Sequence, residues 1–168
     1  TAENWRPLNM PVVFLRALSG AVADYLTQNW KDALHPAQAM ASHFKEAQGN
    51  FGKAQNALDQ MDDAFTAIYL TDLMKAFELV KPQWIKEVLK ARKAPRWLQA
   101  VVEYFTKPRR AIPKILGKKL QAIHIRVGID MGNALAPWIF CIAIDPIIRR
   151  LNNVPGTITN AYMDDTNT

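Results

Sequence analysis

Three acidic residues follow two apolar segments of the sequence. Asp72 comes directly after residues 65–71, which are rich in aromatic and β-branched side chains and predict a strand, and Asp164 and Asp165 come after the β-like residues 157–162. Carboxylates at neighbouring strand ends suit a pair of Mg²⁺ ions, because hard cations prefer charged oxygen ligands. Two such ions can activate an attacking oxygen and stabilise a leaving oxygen in phosphoryl transfer. Taken one at a time, each acid is better interpreted as a polar strand terminus at a turn.

The segments around these acids predict a mixed fold. Apolar spacing indicates helices over residues 11–34, 82–94, 96–105 and 134–152, and a hairpin-like piece surrounds Gly117. His35-Pro36 should end the first helix, because a residue before proline avoids the helical region. Strands and helices do not alternate strictly, so the predicted class is α+β. No linker or repeat divides the chain into independent domains.

Composition narrows the class of protein. The 168 residues carry a net charge of +6, and 49% of them are hydrophobic, which is enough for a core. A single cysteine, Cys141, excludes a disulfide framework and a cysteine-cluster zinc site. The longest apolar run, residues 138–144, is interrupted by Asp145 and is too short to span a bilayer, and no signal peptide is visible. We therefore expect an intracellular chain outside the membrane, with its compartment and oligomeric state undetermined.

The basic residues are concentrated between positions 107 and 126. Such a cluster suits the phosphate backbone of a nucleic acid, with affinity that falls with salt and ignores sequence. A solvated basic surface would have the same composition, so both interpretations stay open. The cluster consists of Lys107, Arg109, Arg110, Lys114, Lys118, Lys119 and Arg126. The acidic pair Asp62-Asp63, in contrast, lies in a polar helical stretch and is interpreted as surface.

Several segments, in order along the chain, resemble motifs of reverse transcriptases. Tyr162-Met163-Asp164-Asp165 is similar to the Tyr-x-Asp-Asp motif, and residues 72–80 resemble the first catalytic motif, Asp-x-x-Lys-Ala-Phe-Asp-x-Val. Residues 128–140 are similar to the family's Gly-Val-x-Gln-Gly-Asp-Pro-Leu-Ser-Pro-x-Leu-Phe segment, and residues 145–150 to the stretch that comes next in the family. Residues 4–8 and 35–38 resemble Asn-Tyr-Arg-Pro-Ile and His-Pro-x-Gln. The resemblance is strongest to enzymes of non-LTR retrotransposons.

The resemblance implies an RNA-directed DNA polymerase. Residues 1–64 would form part of the largely helical fingers, and residues 65–168 a palm with an antiparallel sheet, a helical and basic insertion over about 81–127, and truncation before the thumb. The implied partners are an RNA template, a DNA primer and deoxynucleoside triphosphates. The implied cofactors are two Mg²⁺ ions, with Mn²⁺ as an alternative. Asp72, Asp164 and Asp165 would be the catalytic and metal-binding residues.

The resemblance also implies five nucleotide-binding positions. Phe77 would lie beneath the incoming sugar and exclude a 2′-hydroxyl, although it could instead be a core aromatic that opens a helix. Gly132 would allow close backbone approach, or simply make a loop-to-helix turn. Arg6 and Lys53 would neutralise the triphosphate, although Lys53 could equally well be a solvated surface lysine. Lys75 is a third basic candidate, for which the surface interpretation is the better one. Met131 stands where the family has a glutamine.

Other departures point to a divergent or decaying copy. Asn133, Ala134 and Ala136 replace the family's Asp, Pro and Ser, and Glu78 replaces the last acid of the first motif. We also expect the strand that returns from the terminal hairpin to be missing. The missing strand would leave unpaired backbone groups inside a sheet. Together with the missing thumb, it would make the piece marginally stable and feeble or inactive in catalysis.

Two other functions are compatible with these residues. One is an RNA-dependent RNA polymerase with the same palm architecture, against which stand Phe77 and the absence of a Gly-Asp-Asp motif. The other is a non-catalytic nucleic-acid-binding remnant of a retroelement, which Met131 and the expected truncation favour.

Overall fold

The helices of the described residues lie in three parts of the chain. A computed structural model describes residues 11–38, 52, 55–56, 59, 70–73, 75–157, 159–162 and 165–167. Within these residues a 3₁₀ helix (Lys31–Ala33) follows the first α-helix. The α-helices are α1 (Val13–Asn29), α2 (Ala76–Leu79), α3 (Pro82–Ala91), α4 (Arg96–Thr106) and α5 (Ala136–Asn152). No helix among the described ranges has both the length and the apolar character needed to cross a bilayer.

The strands form small antiparallel sheets. The described strands are β1 (Leu70–Asp72), β2 (Arg109–Ala111), β3 (Lys114–Ile115), β4 (Lys118–Lys119), β5 (Ile123–Ile125), β6 (Asn160–Tyr162) and β7 (Asp165–Asn167). One sheet has the order β1-β7-β6, and the other two are the pairs β2-β5 and β3-β4. This mixture of helices with small antiparallel sheets agrees with the predicted α+β class.

Helix α5 is the centre of the core. Most of its residues from Ala136 to Ile144 are buried, as expected for a helix that is apolar on nearly all sides. Helices α3 and α4 are amphipathic and bury one face each, including Ile85 of α3 and Leu98 of α4. The indole Nε1 of Trp84 in α3 donates a hydrogen bond to the Ala143 carbonyl at 2.8 Å, which fixes α3 on α5.

The strand that we expected to be missing is present, so that prediction is wrong. Strand β7 returns from the end of β6 and pairs with it through Tyr162↔Asp165, and it pairs on its other side with β1. Strand β7 has only three residues, but it is the central strand of its sheet and is paired along both edges. The predicted strand over residues 65–71 overlaps β1 only at Leu70 and Thr71, and its earlier part lies outside the described residues.

The first helix ends earlier than predicted. Helix α1 stops at Asn29, and Trp30 leaves the helical region with φ −131°. The 3₁₀ turn after it redirects the chain and buries Leu34. The proline at position 36 therefore lies beyond the helix end and does not set it.

Strands β2 to β5 make one nested hairpin, which we call the ribbon (residues 109–125). The outer ladder pairs β2 with β5, and the inner ladder pairs β3 with β4. The two residues at the tip, Leu116 and Gly117, have φ values of 48° and 80°. Positive φ at both central residues is what a type I′ hairpin turn requires. The prediction of a hairpin around Gly117 is confirmed.

Candidate active site

Two of the three predicted catalytic acids are neighbours in the sheet. Asp72 is the last residue of β1 and Asp165 the first of β7, and the two are directly opposed in the antiparallel register. Directly opposed residues in such a ladder have Cα atoms about 4.5–5.5 Å apart. Residues 93 positions apart in the sequence (165 minus 72) are thus brought to one place by strand pairing.

The remaining acid and two of the predicted nucleotide contacts fall outside the described residues. These are Asp164, Arg6 and Lys53. Among the described residues no group of three or more His, Cys, Asp or Glu side chains could hold a metal ion. The metal-binding role of Asp72 and Asp165 therefore stays a prediction.

The segment after Asp72 is bonded to the segment that begins at Gly128. The Gly128 N–H donates to the Val80 carbonyl at 2.9 Å, and the Ile129 N–H donates to the Phe77 carbonyl at 2.7 Å. Gly128 has φ +94°, and a β-carbon there would lie 2.8 Å from the Glu78 carbonyl oxygen. Only glycine permits this approach, which brings two of the resembling motifs together.

Phe77 is half-buried at this junction. Its ring stacks on the ring of Phe140 in α5, with centroids 4.6 Å apart and 26° between the planes. Phe77 therefore has the packing of the core aromatic that we considered as the alternative. The contact of Phe77 with a sugar stays a prediction.

The predicted loop residues of the 128–140 segment lie at the start of α5. Gly132 is exposed with φ +97°, and Met131 is half-buried. Gly132 lines an open depression together with Arg16, Ser19, Asn133 and Ala134. Asn133 is buried, and its side-chain Oδ1 accepts the Leu135 N–H at 3.0 Å. Asn133 thus caps the turn into α5, a local use of its carbonyl.

Six of the seven predicted nucleic-acid-binding cations are exposed on or beside the ribbon. Arg109 is the exception: its guanidinium forms an ion pair with Asp130, and both side chains are largely buried at the base of the ribbon. The assignment of Arg109 to nucleic-acid binding stays a prediction, and its ion pair makes it less accessible to phosphate than the other six cations. The exposed cations are Lys107, Arg110, Lys114, Lys118, Lys119 and Arg126.

The ribbon contains an unfavourable charge arrangement. Lys114 and Lys119 are directly opposed in the β3·β4 ladder, and like charges in that position are destabilising. Residues 107–127 contain no acidic residue, and the described part of the chain provides no ion pair to Lys114 or Lys119. An anionic partner would relieve this repulsion.

Sequence reasoning missed the role of Asp145. Its carboxylate is 1% exposed and accepts hydrogen bonds from the His35 N–H at 2.6 Å, from Arg149 Nε at 2.8 Å and from Arg92. The sequence did contain a signal for this role. Asp145 lies within an apolar helix and Arg149 follows four residues later, and a buried charge needs such a partner. Burial, with the positive charge of Arg149 as a smaller cause, lowers the pKa of Arg92.

The imidazole of His35 belongs to the same cluster. Its Nδ1 accepts the Ala37 N–H at 3.2 Å, and its Nε2 lies 3.5 Å from Asn152 Nδ2. Burial, followed by the charges of Arg149 and Arg92, lowers the pKa of His35. The neutral ring is therefore the form that this environment favours.

A comparison with models of protein families gives the family of the chain. The family model described as reverse transcriptase (RNA-dependent DNA polymerase) matches residues 1–168. The match covers the whole chain, including the opposed acids, the Gly128 junction and the ribbon. The chain therefore belongs to the reverse transcriptase (RNA-dependent DNA polymerase) family.

Proposed function

We propose that this domain catalyses RNA-directed DNA synthesis of the non-LTR retrotransposon type. The reaction is nucleotidyl transfer: the primer 3′-hydroxyl oxygen forms a bond to the α-phosphorus of a deoxynucleoside triphosphate, the bond to the β-phosphate oxygen breaks, and pyrophosphate and a proton leave. The observation that carries the proposal is the register of β1 and β7, in which Asp72 and Asp165 are directly opposed.

The acids would act by binding divalent metal ions at one place. Asp72 and Asp165, joined by Asp164, would bind two Mg²⁺ ions, or Mn²⁺ in their place. When bound, such ions supply activation of the attacking oxygen and stabilisation of the leaving one. The chain's own contribution is positioning and charge neutralisation, so no covalent intermediate with the protein is required.

The other site residues would orient the substrates. Phe77 would discriminate against a 2′-hydroxyl, Gly132 would admit the nucleotide or template next to the backbone, and Arg6 and Lys53 would neutralise the triphosphate. The exposed cations of the ribbon would hold the template and primer through phosphate contacts, which fix position without reading sequence.

Primer extension on an RNA template tests the proposal. Because the returning strand is present, the 168-residue chain should extend a DNA primer in Mg²⁺ with labelled deoxynucleotides, although slowly without a thumb. Asp72→Asn, Asp164→Asn and Asp165→Asn should each lower that rate by at least about 100-fold, because each removes a charged ligand. Asp32→Asn, an exposed acid outside the site, is the matched control and should extend normally. Equal rates in all five proteins, or no extension by any of them, would contradict it.

A second function is favoured by two observations. The exposed cations on the ribbon are independent of the acids, and Met131 replaces a hydrogen-bonding glutamine, so the chain could bind nucleic acid without catalysis. In that case binding would be salt-dependent and Mg²⁺ would bind equally to the native chain and to Asp164→Asn. A metal affinity that depends on Asp164 would exclude it.

A further inference from the structure

We propose that Asp145 is a positioning residue for the acidic site: its carboxylate fixes residues 35–38 against β6 and thereby holds the β6–β7 hairpin in place beside Asp72. The identity of the site rests on the proposed function. The structural part of the inference does not, because it concerns hydrogen bonds within the chain.

The first step is the bonding of Asp145 itself. Its Oδ1 accepts the His35 N–H, and its Oδ2 accepts from both Arg149 and Arg92. Arg149 Nη2 also donates to the Ala33 carbonyl at 3.2 Å. A carboxylate buried to 1% exposure is costly unless it is compensated in this way. Its partners come from α5, from the end of α3 and from the segment after α1, so one side chain joins three parts of the chain.

The second step leads from His35 to the sheet. Residues 35–38, which we call the strap, run beside β6: the Ala37 carbonyl accepts the Ala161 N–H at 2.8 Å, and Gln38 forms a parallel bridge with Ala161. Ala161 is the middle residue of β6 and is 1% exposed. One edge of β6 is therefore bonded to the strap, and the other to β7.

The third step leads from β6 to the acids. Tyr162 of β6 is the register partner of Asp165, and Asp165 is the register partner of Asp72. Displacement of the strap would release one edge of β6 and loosen the hairpin that carries Asp165. Residues outside a site that orient its ligands typically change metal affinity or activity by about 10- to 100-fold when they are removed.

Amide hydrogen exchange tests the structural part directly. Asp145→Asn removes the carboxylate charge and keeps the side-chain shape. In this variant the Ala161 amide should exchange at least about tenfold faster than in the native chain, because local opening governs exchange. This acceleration should exceed any change in the α4 amides. Leu98→Ala, a core truncation in α4, is the matched control. It should accelerate α4 amides and leave Ala161 no more affected than the rest of the chain.

A second variant covers the case in which Asp145→Asn does not fold. Arg149→Lys keeps a cation beside Asp145 but loses the planar group that also bonds the Ala33 carbonyl. It should accelerate Ala161 exchange by a smaller factor than Asp145→Asn. If Ala161 exchanges no faster than the α4 amides in the variants that fold, the strap does not depend on Asp145 and the inference is overturned.

Mn²⁺ binding, followed by electron paramagnetic resonance, connects the strap to the site. Asp145→Asn should bind Mn²⁺ about tenfold or more weakly, whereas Leu98→Ala should bind it with native affinity while folded. Native affinity in Asp145→Asn, together with faster Ala161 exchange, would overturn the positioning role and leave the proposed function standing. If the native chain binds no Mn²⁺, the proposed function fails, and the exchange result still decides the role of Asp145 in the fold.

Discussion

The backbone of Gly128 lies against the backbone of Glu78, so closely that a β-carbon on Gly128 would be 2.8 Å from the Glu78 carbonyl oxygen. Gly128→Ala should therefore lower the free energy of unfolding by about 2 kcal/mol or more, from the positive φ alone and with the clash in addition. Urea unfolding measures this. Gly20→Ala is the control: Gly20 lies within α1 with no atom near its would-be β-carbon, and alanine should stabilise there by about 0.5–1 kcal/mol. Equal effects at the two glycines would contradict the close approach.

Leu116 occupies a position that suits asparagine or glycine. It has φ 48° at the tip of the ribbon and is 96% exposed, so its side chain gains nothing from burial. Leu116→Asn should stabilise the inner hairpin by about 1 kcal/mol, because Asn-Gly is the preferred pair in this turn. Hydrogen exchange of the β3 and β4 amides would show slower opening. Leu120→Asn, an exposed leucine outside the turn, should give no such protection.

The opposed lysines of the ribbon should affect stability and binding in opposite directions. Lys114→Gln removes the repulsion with Lys119 and should raise the stability of the ribbon by a few tenths of a kcal/mol. The same change should weaken nucleic-acid binding at all sequences and reduce the salt slope by about 1. Fluorescence anisotropy with labelled duplexes at several salt concentrations measures the binding effect, and hydrogen exchange of the ribbon amides measures the stability. Lys90→Gln on α3 is the control and should leave the salt slope unchanged.

His35 should destabilise the folded chain in acid. Because its pKa is lowered in the folded state, the unfolded chain takes up the proton at higher pH, so the free energy of unfolding falls as the pH drops below about 6.5 and stops falling below the folded-state pKa. Protonation at Nδ1 would also break the bond from the Ala37 N–H. Urea unfolding between pH 8 and pH 5 should show a shallower loss in His35→Asn, whose oxygen can accept the same bond. A His35 pKa above 6.5 by NMR titration would refute this.

Phe77 should affect sugar selection in a way that its packing partner does not. Phe77→Ala should allow ribonucleotide incorporation and also destabilise the chain, since its half-buried ring stacks on Phe140. Phe140→Leu removes the same stack but keeps the ring at position 77, so it should destabilise without relaxing selection. Competition between deoxy- and ribonucleotides in primer extension measures the difference. Similar relaxation in both variants would assign Phe77 to the core alone.

Local sequence signals predicted individual helices and turns better than they predicted which strands pair with each other. The helix over residues 134–152 was recognisable from its apolar content, and its start shifts only to Ala136, because the turn capped by Asn133 precedes it. The hairpin at Gly117 was recognisable because glycine permits a positive φ there. The outer ladder of the ribbon was not predicted, since Arg109–Ala111 has no alternating pattern to mark a strand.

Long-range pairing could not be inferred in the same way. Nothing near Asp145 in the sequence shows that His35 and Arg92 would bond it, because those contacts arise from the packing of separate elements. The order of the motifs predicted that Asp72 would lie close to Asp164 and Asp165. In the register of β1 and β7, Asp72 lies directly opposite Asp165. The positions of Asp164, Arg6 and Lys53 stay predictions.

Because β7 lies between β1 and β6, its alignment determines which residues of the sheet lie opposite one another. Strands β1 and β6 have no pairing with each other among the described residues, so each is aligned with the other only through the three residues of β7. A slip of β7 by one residue along β1 could bring Thr166 opposite Asp72 and replace a carboxylate by a hydroxyl. Only two residues separate the end of β6 from the start of β7, so an insertion or deletion there would change which residue of β7 lies opposite Asp72.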